Sequence, residues 1–221
     1  MRRAVIIVAG GSGTRMGEET PKQFLLLGGK PMIFRSIEAF YSYDRQIEVI
    51  VGLQDWHREL WKELCNEHSF AHRHRLSQAG ETRFHTVRNA LPLTGENSIV
   101  AVHDAVRPLV SDETIERCFY TATIKGTAVP CVEIPDSIRK VEGTGNQPVD
   151  RTSLRIVQTP QVFQSKILKE SYKLQYQPGF TDDAGVVERA GYEIHLVEGN
   201  RENIKITTRT DYLTAEGLLN L

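Results

Sequence analysis

The stretch Arg3–Phe24, RAVIIVAGGSGTRMGEETPKQF, is an apolar, β-branched run followed at once by four glycines, an arginine and a lysine. The run predicts a strand buried on both faces, because parallel strands covered by helices read as continuous apolar segments rather than alternating ones. The glycines behind it allow φ > 0 and let backbone N–H groups come close to a ligand. Arg15 and Lys22 add fixed positive charge. A strand that empties into such a loop predicts a site for something polyanionic, most simply phosphates.

Strands and helices alternate outward from that loop. KPMIFRSIEAFYS has helical spacing with Pro31 near its start, and IEVIVGL is the next strand. DWHRELWKELCNEH reads as an amphipathic helix with Asp55 as N-cap. HRLSQAG is a short strand, TRFHTVRNAL a helix, and SIVAVHDAVRPLV a strand running into a polar loop. SDETIERCFYTATIKG is a helix capped by Ser111 or Asp112 and closed by Gly126, with the strand TAVPCVEIP behind it. The pattern predicts an α/β fold, a mostly parallel twisted sheet flanked by helices. The 221 residues fit one domain, 1–221.

One segment breaks the rhythm. Asp136–Phe163 reads as strand, Gly/Asn turn, strand, without a crossover helix. An isolated hairpin is marginal in water, so this β-arm, at about 136–160, packs either on its own domain or on a second subunit. Helices near SKILKESYKLQY and DDAGVVERAG follow, then a strand pair in YEIHLVEGNRENIKIT and a last helix in TRTDYLTAEGLLNL.

A net charge of -1 without a basic stripe or polybasic tail predicts no nucleic-acid partner and no membrane surface. Cys65, Cys118 and Cys131 are far apart and odd in number, which reads as a reducing compartment. The N-terminal apolar run passes directly into the glycine loop without a small-residue cleavage site. Together these predict a cytoplasmic protein.

The glycine loop is not the dinucleotide fingerprint. From Gly11 it reads GSGTRMG, one residue too long before the last glycine. It is not a Walker A loop either, since Gly29-Lys30 is followed by Pro31. AGGSGTRMG with PKQF instead resembles the signature loop of enzymes that transfer NMP from an NTP. The version ending in P-K-Q-[FY] is similar to cytidylyltransferases acting on 2-C-methyl-D-erythritol 4-phosphate, and to related ribitol 5-phosphate cytidylyltransferases. Further segments resemble that family in order: GETRFHTVRNAL, VHDAVRPLV, DSIRKV, VDRTSLRIVQTPQVF, FTDDAGVVERAG and VEGNRENIKIT. The resemblance covers essentially the whole chain and implies a Rossmann-like nucleotidyltransferase with a protruding arm.

The chemistry so implied is attack of a phosphate monoester on the α-phosphorus of CTP, with pyrophosphate leaving. The nucleophile is already an anion, so positioning and positive charge replace a general base. The resemblance makes Arg15 and Lys22 the loop cations on the triphosphate and Lys205 a third cation near the α-phosphate. Read alone, Lys205 between Ile204 and Ile206 is an edge-strand position. Ala9, Gly10, Gly11, Gly13, Gly80, Thr86, Asp104 and Ala105 match nucleotide positions, with Asp104 on the ribose or on a phosphate-bound Mg²⁺. Thr86 stands where the family often has Ser and keeps a hydroxyl near the base. Arg107, Asp136, Ser137, Arg151, Thr159 and Thr181 match positions for a phosphorylated polyol, those of the arm reaching into the neighbouring subunit of a homodimer. Ser137 for the commoner Thr, and Arg139 for the usual Lys, are departures that bear on which polyol is bound. His57, His68, His72 and His74 lack metal-ligand spacing and read as surface residues, and His103 as an orienting or core residue. Two other readings stand beside this one: a nucleotide-binding module without turnover, and a nicotinamide oxidoreductase, whose fingerprint spacing is absent.

Overall fold

The computed structural model describes residues 1–11 and 20–219. The opening apolar run forms β1 (Arg2–Val8), and Ala4–Ile7 are buried. A short hairpin follows, β2 (Leu26–Leu27) and β3 (Lys30–Pro31), turning on Gly28 and Gly29 at φ 55° and 76°. The chain continues through α1 (Met32–Tyr43), β4 (Glu48–Leu53), α2 (Arg58–Glu67), β5 (Arg75–Gln78), α3 (Arg83–Ala90) and β6 (Ser98–Asp104). Then come α4 (Asp112–Lys125), β7 (Thr127–Glu133), β8 (Ile138–Glu142), β9 (Gly145–Val149), β10 (Arg155–Val157) and β11 (Gln161–Gln164). The last elements are α5 (Ser165–Ser171), α6 (Asp183–Arg189), β12 (Leu196–Glu198) and α7 (Arg209–Leu219).

The main sheet runs β5-β4-β1-β6-β11-β7, with β10 and β12 also paired to β7. β1 pairs parallel with β4 and β6, β4 with β5, and β7 with β12. The sheet is thus mostly parallel, as the alternation of elements predicts. Its antiparallel members are β10 and β11, the chain returning from the arm. From Ala4 onward β1 is an unbroken apolar run because both its faces are covered there. Val5 and Ile7 join Phe34, Phe40, Trp61 and Phe119 from α1, α2 and α4 on one side. Ala4 and Ile6 join Phe84, Val87, Leu168 and Val186 from α3, α5 and α6 on the other.

Topology sets the place of the site. From β1 the chain steps outward to β4 and β5, whereas β6 lies on the other flank of β1. The direction of winding reverses between β1 and β6, and the carboxyl ends of two such strands leave a crevice.

Local chemistry explains the helix ends. Ser111 caps α4 by accepting from Thr114 N at 3.2 Å, and Gly126 ends it at φ 92°. Asp55 does not cap α2. It opens a 3₁₀ turn, Asp55–His57, and its carboxylate accepts from Arg58 Nε at 2.7 Å instead. α5 stops at Ser171, short of the sequence pattern. The expected strand pair near the C-terminus yields only β12. Lys205 is therefore on a loop rather than an edge strand, a loop pinned where Ile206 N donates to Val106 O at 2.9 Å. The histidines also differ from expectation. His57 is buried against Phe24, and half-buried His74 accepts from Trp61 Nε1 at 3.1 Å, so aromatic packing covers the first and, in part, the second.

The arm is the hairpin β8–β9, turning at Gly143 with φ 58°. Among the described residues its two strands pair only with each other, and Val141 is 72% exposed.

Candidate active site

Backbone and side-chain hydrogen bonds fasten the chain around the crevice. Ala105 N donates to Val8 O at 3.2 Å, joining the ends of β1 and β6. Gln23 Nε2 donates to Ala9 O at 3.0 Å and to Gly11 O at 3.3 Å. Gln54 Nε2 donates to Gly10 O at 3.2 Å and to Gly80 O at 3.3 Å, tying the two glycine segments together. In a trans peptide the next N–H points opposite to the carbonyl, so the N–H groups of Gly10 and Gly11 face away from these glutamines. Both glycines line the cleft. Gly10 and Gly80 are required by close approach. A Cβ on Gly10 would lie 2.7 Å from Ala79 Cβ, and one on Gly80 would lie 2.3 Å from His85 Cβ.

Two cavities meet here. The larger, about 330 Å³, is lined by Gly10, Gly11, Lys22, Gly80 and Thr86 among others. The smaller, about 240 Å³, is lined by Arg107, Thr159, Thr181 and Asp182 among others. Arg83, Asp104 and Lys205 belong to both linings and form the common wall. Lys205 Nζ stands 2.8 Å from Asp104 Oδ2, Arg83 Nε 3.1 Å from Asp104 Oδ1, and Arg107 Nε 3.7 Å from Asp104 Oδ2. Burial alone would raise the Asp104 carboxyl, but Arg83, Lys205 and Arg107 outweigh it and hold the group well below the usual carboxylate range. Arg83 also reaches Asp183 Oδ2 at 2.7 Å. Burial would lower the Arg83 guanidinium, and the charges of Asp183 and Asp104 raise it well above its ordinary value.

The expected residues fall into three groups. Ala9, Gly10, Gly11, Lys22, Gly80, Thr86, Asp104, Ala105 and Lys205 come together in the first cavity. Arg107, Thr159 and Thr181 line the second. Asp136, Ser137 and Arg151 are exposed at and around the arm, outside both linings. Gly13 and Arg15 lie outside the described residues. Several hydroxyls and cations are already engaged within the fold. Thr86 Oγ1 accepts from Gly80 N and donates to Thr82 O, each at 3.1 Å, so it shapes the Gly80 turn. Thr159 Oγ1 accepts from Asp104 N at 3.1 Å. Arg107 Nη1 donates to Asn203 O at 2.6 Å.

Sequence reasoning did not single out Arg83, Asp183, Gln23 or Gln54. Arg83 was in view inside GETRFHTVRNAL, where an arginine opening a helix beside a glycine was the available signal. Gln23 stands inside PKQF, whereas Gln54 belongs to no motif, because its partners are backbone carbonyls distant in sequence.

His103 is buried, with Nε2 3.0 Å from Arg107 O and Nδ1 3.1 Å from Thr159 Oγ1. Burial lowers its pKa to about 4, so it is a neutral core residue near pH 7. Asp104 does not fit a protein-held magnesium ion. Both its oxygens already face cations, and a divalent ion would be set among three positive groups. Among the described residues, no group of three or more His, Cys, Asp or Glu could hold a metal ion.

A glycine-lined cleft at a switch point, sharing a wall of Arg83, Asp104 and Lys205 with a second cavity, is the architecture of a nucleotidyltransferase. The chain matches the family profile described as 2-C-methyl-D-erythritol 4-phosphate cytidylyltransferase over residues 3–221. It is 47% identical over 219 residues to the enzyme of that name from Bacteroides fragilis, covering 99% of this chain and 100% of that one. It is 44% identical to its namesake from Porphyromonas gingivalis, over 99% and 98% of the two chains. The crystal structure of the Thermus thermophilus enzyme superposes with a TM-score of 0.78 at 30% identity, covering 100% of both chains. That of the Francisella tularensis enzyme gives 0.80 at 26%, over 98% and 99%. The chain belongs to the 2-C-methyl-D-erythritol 4-phosphate cytidylyltransferase family.

Proposed function

We propose that this enzyme transfers CMP from CTP to 2-C-methyl-D-erythritol 4-phosphate, releasing pyrophosphate, a step of isoprenoid precursor synthesis. The observation that carries the reading is the wall of Arg83, Asp104 and Lys205 shared by the two cavities. Cytidine occupies the cleft between Gly10–Gly11 and Gly80, where the missing side chains leave backbone groups to read a small base. Lys22 binds the triphosphate, together with Arg15 as the family resemblance implies. The polyol phosphate enters the second cavity beside Arg107, whose planar fork suits a phosphate. The attacking oxygen and the α-phosphorus then meet at the common wall.

Lys205 and Arg83 stabilise the charge that spreads over the phosphoryl oxygens. The incoming phosphate needs no base, and neutral His103, with both ring nitrogens engaged, is not used as one. Magnesium arrives as part of the nucleotide substrate, on the triphosphate. We further propose a homodimer in which Asp136, Ser137 and Arg151 are presented to the partner's second cavity, since among the described residues the strands of the arm pair with no other strand and Val141 is exposed. Cytoplasmic location fits three free cysteines, two of them buried. Among the described residues, no helix is long and apolar enough to cross a membrane.

The test is pyrophosphate release with Mg²⁺, crossing the four common NTPs with methylerythritol and ribitol phosphates. Turnover confined to CTP with methylerythritol phosphate is expected. Turnover with ribitol 5-phosphate would move the enzyme to polymer synthesis, and silence in every pairing would leave a nucleotide-binding module.

A further inference from the structure

We infer that Asp183, which touches neither cavity, is a positioning residue that sets Arg83 in the wall where the two substrates react. The inference rests on the reading above for its kinetic consequence, not for its geometry.

Asp183 is fully buried, at 0% exposure. A buried carboxylate is costly unless paired and hydrogen-bonded. This one is both. Arg83 Nη2 lies 2.7 Å from Oδ2, and the Tyr172 hydroxyl donates to Oδ1 at 2.6 Å. The carboxylate is carried on the first turn of α6, which is itself fastened to β11. There Gln161 donates to Asp182 Oδ2 and accepts from Ala184 N, each at 2.8 Å.

Arg83 is thereby held from two sides, by Asp183 through Nη2 and by Asp104 through Nε. The division of labour follows from charge. Asp104 faces Arg83, Arg107 and Lys205 at once. If Asp183 did not neutralise Arg83, that guanidinium would draw on Asp104 alone and compete with Lys205 for it. Asp183 thus keeps the two cations of the common wall apart, one on each oxygen of Asp104. A displacement of about 1 Å in such a group costs about 10²-fold in rate.

The experiment compares wild type, Asp183→Asn, Arg83→Gln and the double variant. Each is measured for kcat, for KM of CTP and for thermal midpoint. Asp183→Asn is expected to lower kcat about 10²-fold, with KM for CTP little changed because the contacts at Gly10 and Gly80 remain. In the Arg83→Gln background the same substitution should lower kcat no further. A purely structural Asp183 would instead give the same fold-loss in both backgrounds, and that result overturns the inference, as does wild-type kcat in Asp183→Asn.

Should Asp183→Asn fail to fold, Tyr172→Phe removes only the hydrogen bond to Oδ1. It should lower kcat where Arg83 is present and not where it is absent, and equal losses again overturn the proposal. A second readout is independent of turnover. The Arg83 Nε–H resonance, assigned by its loss in Arg83→Gln, should exchange slowly with solvent in wild type and faster in Asp183→Asn. Unchanged exchange refutes the positioning role. Absent turnover in wild type, with this exchange difference present, refutes the reaction and leaves the positioning intact.

Discussion

Lys205 Nζ sits 2.8 Å from Asp104 Oδ2, so the loop after β12 is locked to the end of β6 by one ion pair. The pair sets a cation in the wall that the two cavities share. Replacing either partner has a different signature. Lys205→Ala leaves Asp104 two arginines, so the fold should hold while kcat falls about 10²-fold or more. Asp104→Asn strips three cations of their shared counter-charge in a buried setting. It should cost about 3–5 kcal/mol of stability as well as activity. Denaturant titration beside steady-state kinetics separates the two. A Lys205→Ala protein as destabilised as Asp104→Asn would contradict this account.

Two buried groups contribute to the acid sensitivity of the fold. His103 is held down to about 4 by burial, against about 6.5 in the unfolded chain. Between these values the unfolded state binds a proton that the folded state does not. Stability is therefore lost as pH falls from about 6.5 towards 4, at up to about 1.4 kcal/mol per pH unit. Asp104 is also held low in the folded state. Its contribution is present above the unfolded value of about 3.9 and is lost as pH falls below it. His103→Gln should flatten the upper part of this slope. It should leave the pH–rate profile above pH 6 unchanged, because that limb follows the substrate phosphate, whose second ionisation lies at about 6. A rate profile that moves with His103→Gln would point to a base and against the mechanism.

The glycines of the cleft should respond unequally to alanine. At Gly80 the new Cβ would stand 2.3 Å from His85 Cβ and 2.9 Å from His85 carbonyl carbon, so α3 must shift. Overpacking of this kind costs about 1–3 kcal/mol, and CTP affinity should fall with it. At Gly11 a Cβ meets nothing within 4 Å among the described residues. Gly11→Ala should keep stability within about 0.5 kcal/mol. Thermal midpoints of the two variants decide the matter, and equal losses would mean that the Gly80 contact relaxes freely.

The arm makes a prediction about mixtures. Lys22→Ala and Arg151→Ala should each be inactive alone. If Arg151 serves the partner's cavity, a heterodimer has one site with both residues intact. Random exchange of equal amounts then restores about a quarter of the wild-type sites. Activity measured after subunit exchange, verified by mass, should rise to that level, and no recovery would place Arg151 in its own chain's site.

The parts legible in the sequence were those written in local pattern. The unbroken apolar run of β1, the glycines behind it and the Ser111 and Gly126 caps each follow from neighbours along the chain. Arg83 with Asp183, and Gln54 with Gly10 and Gly80, depend on segments that only packing brings together, and no periodicity announces them. Lys205 shows the same limit from the other side. Its flanking isoleucines suggest a strand, yet Ile206 is drawn into a small core with Leu27 and Met32, and the backbone is spent on Val106 rather than on a ladder. His57 was read as exposed because a polar helix face surrounds it in sequence, whereas Phe24 covers it in space.

The amide of Gln54 spans both lips of the glycine-lined cleft. One side chain thus acts as a spacer bar, and the gauge of the opening is set when the chain folds rather than when a ligand arrives. A ligand that fits the gauge enters without ordering the lips, which spares it an entropic cost that a pliable mouth would impose. A bulkier one must first break two hydrogen bonds. Selection by size is in this way built into the resting protein.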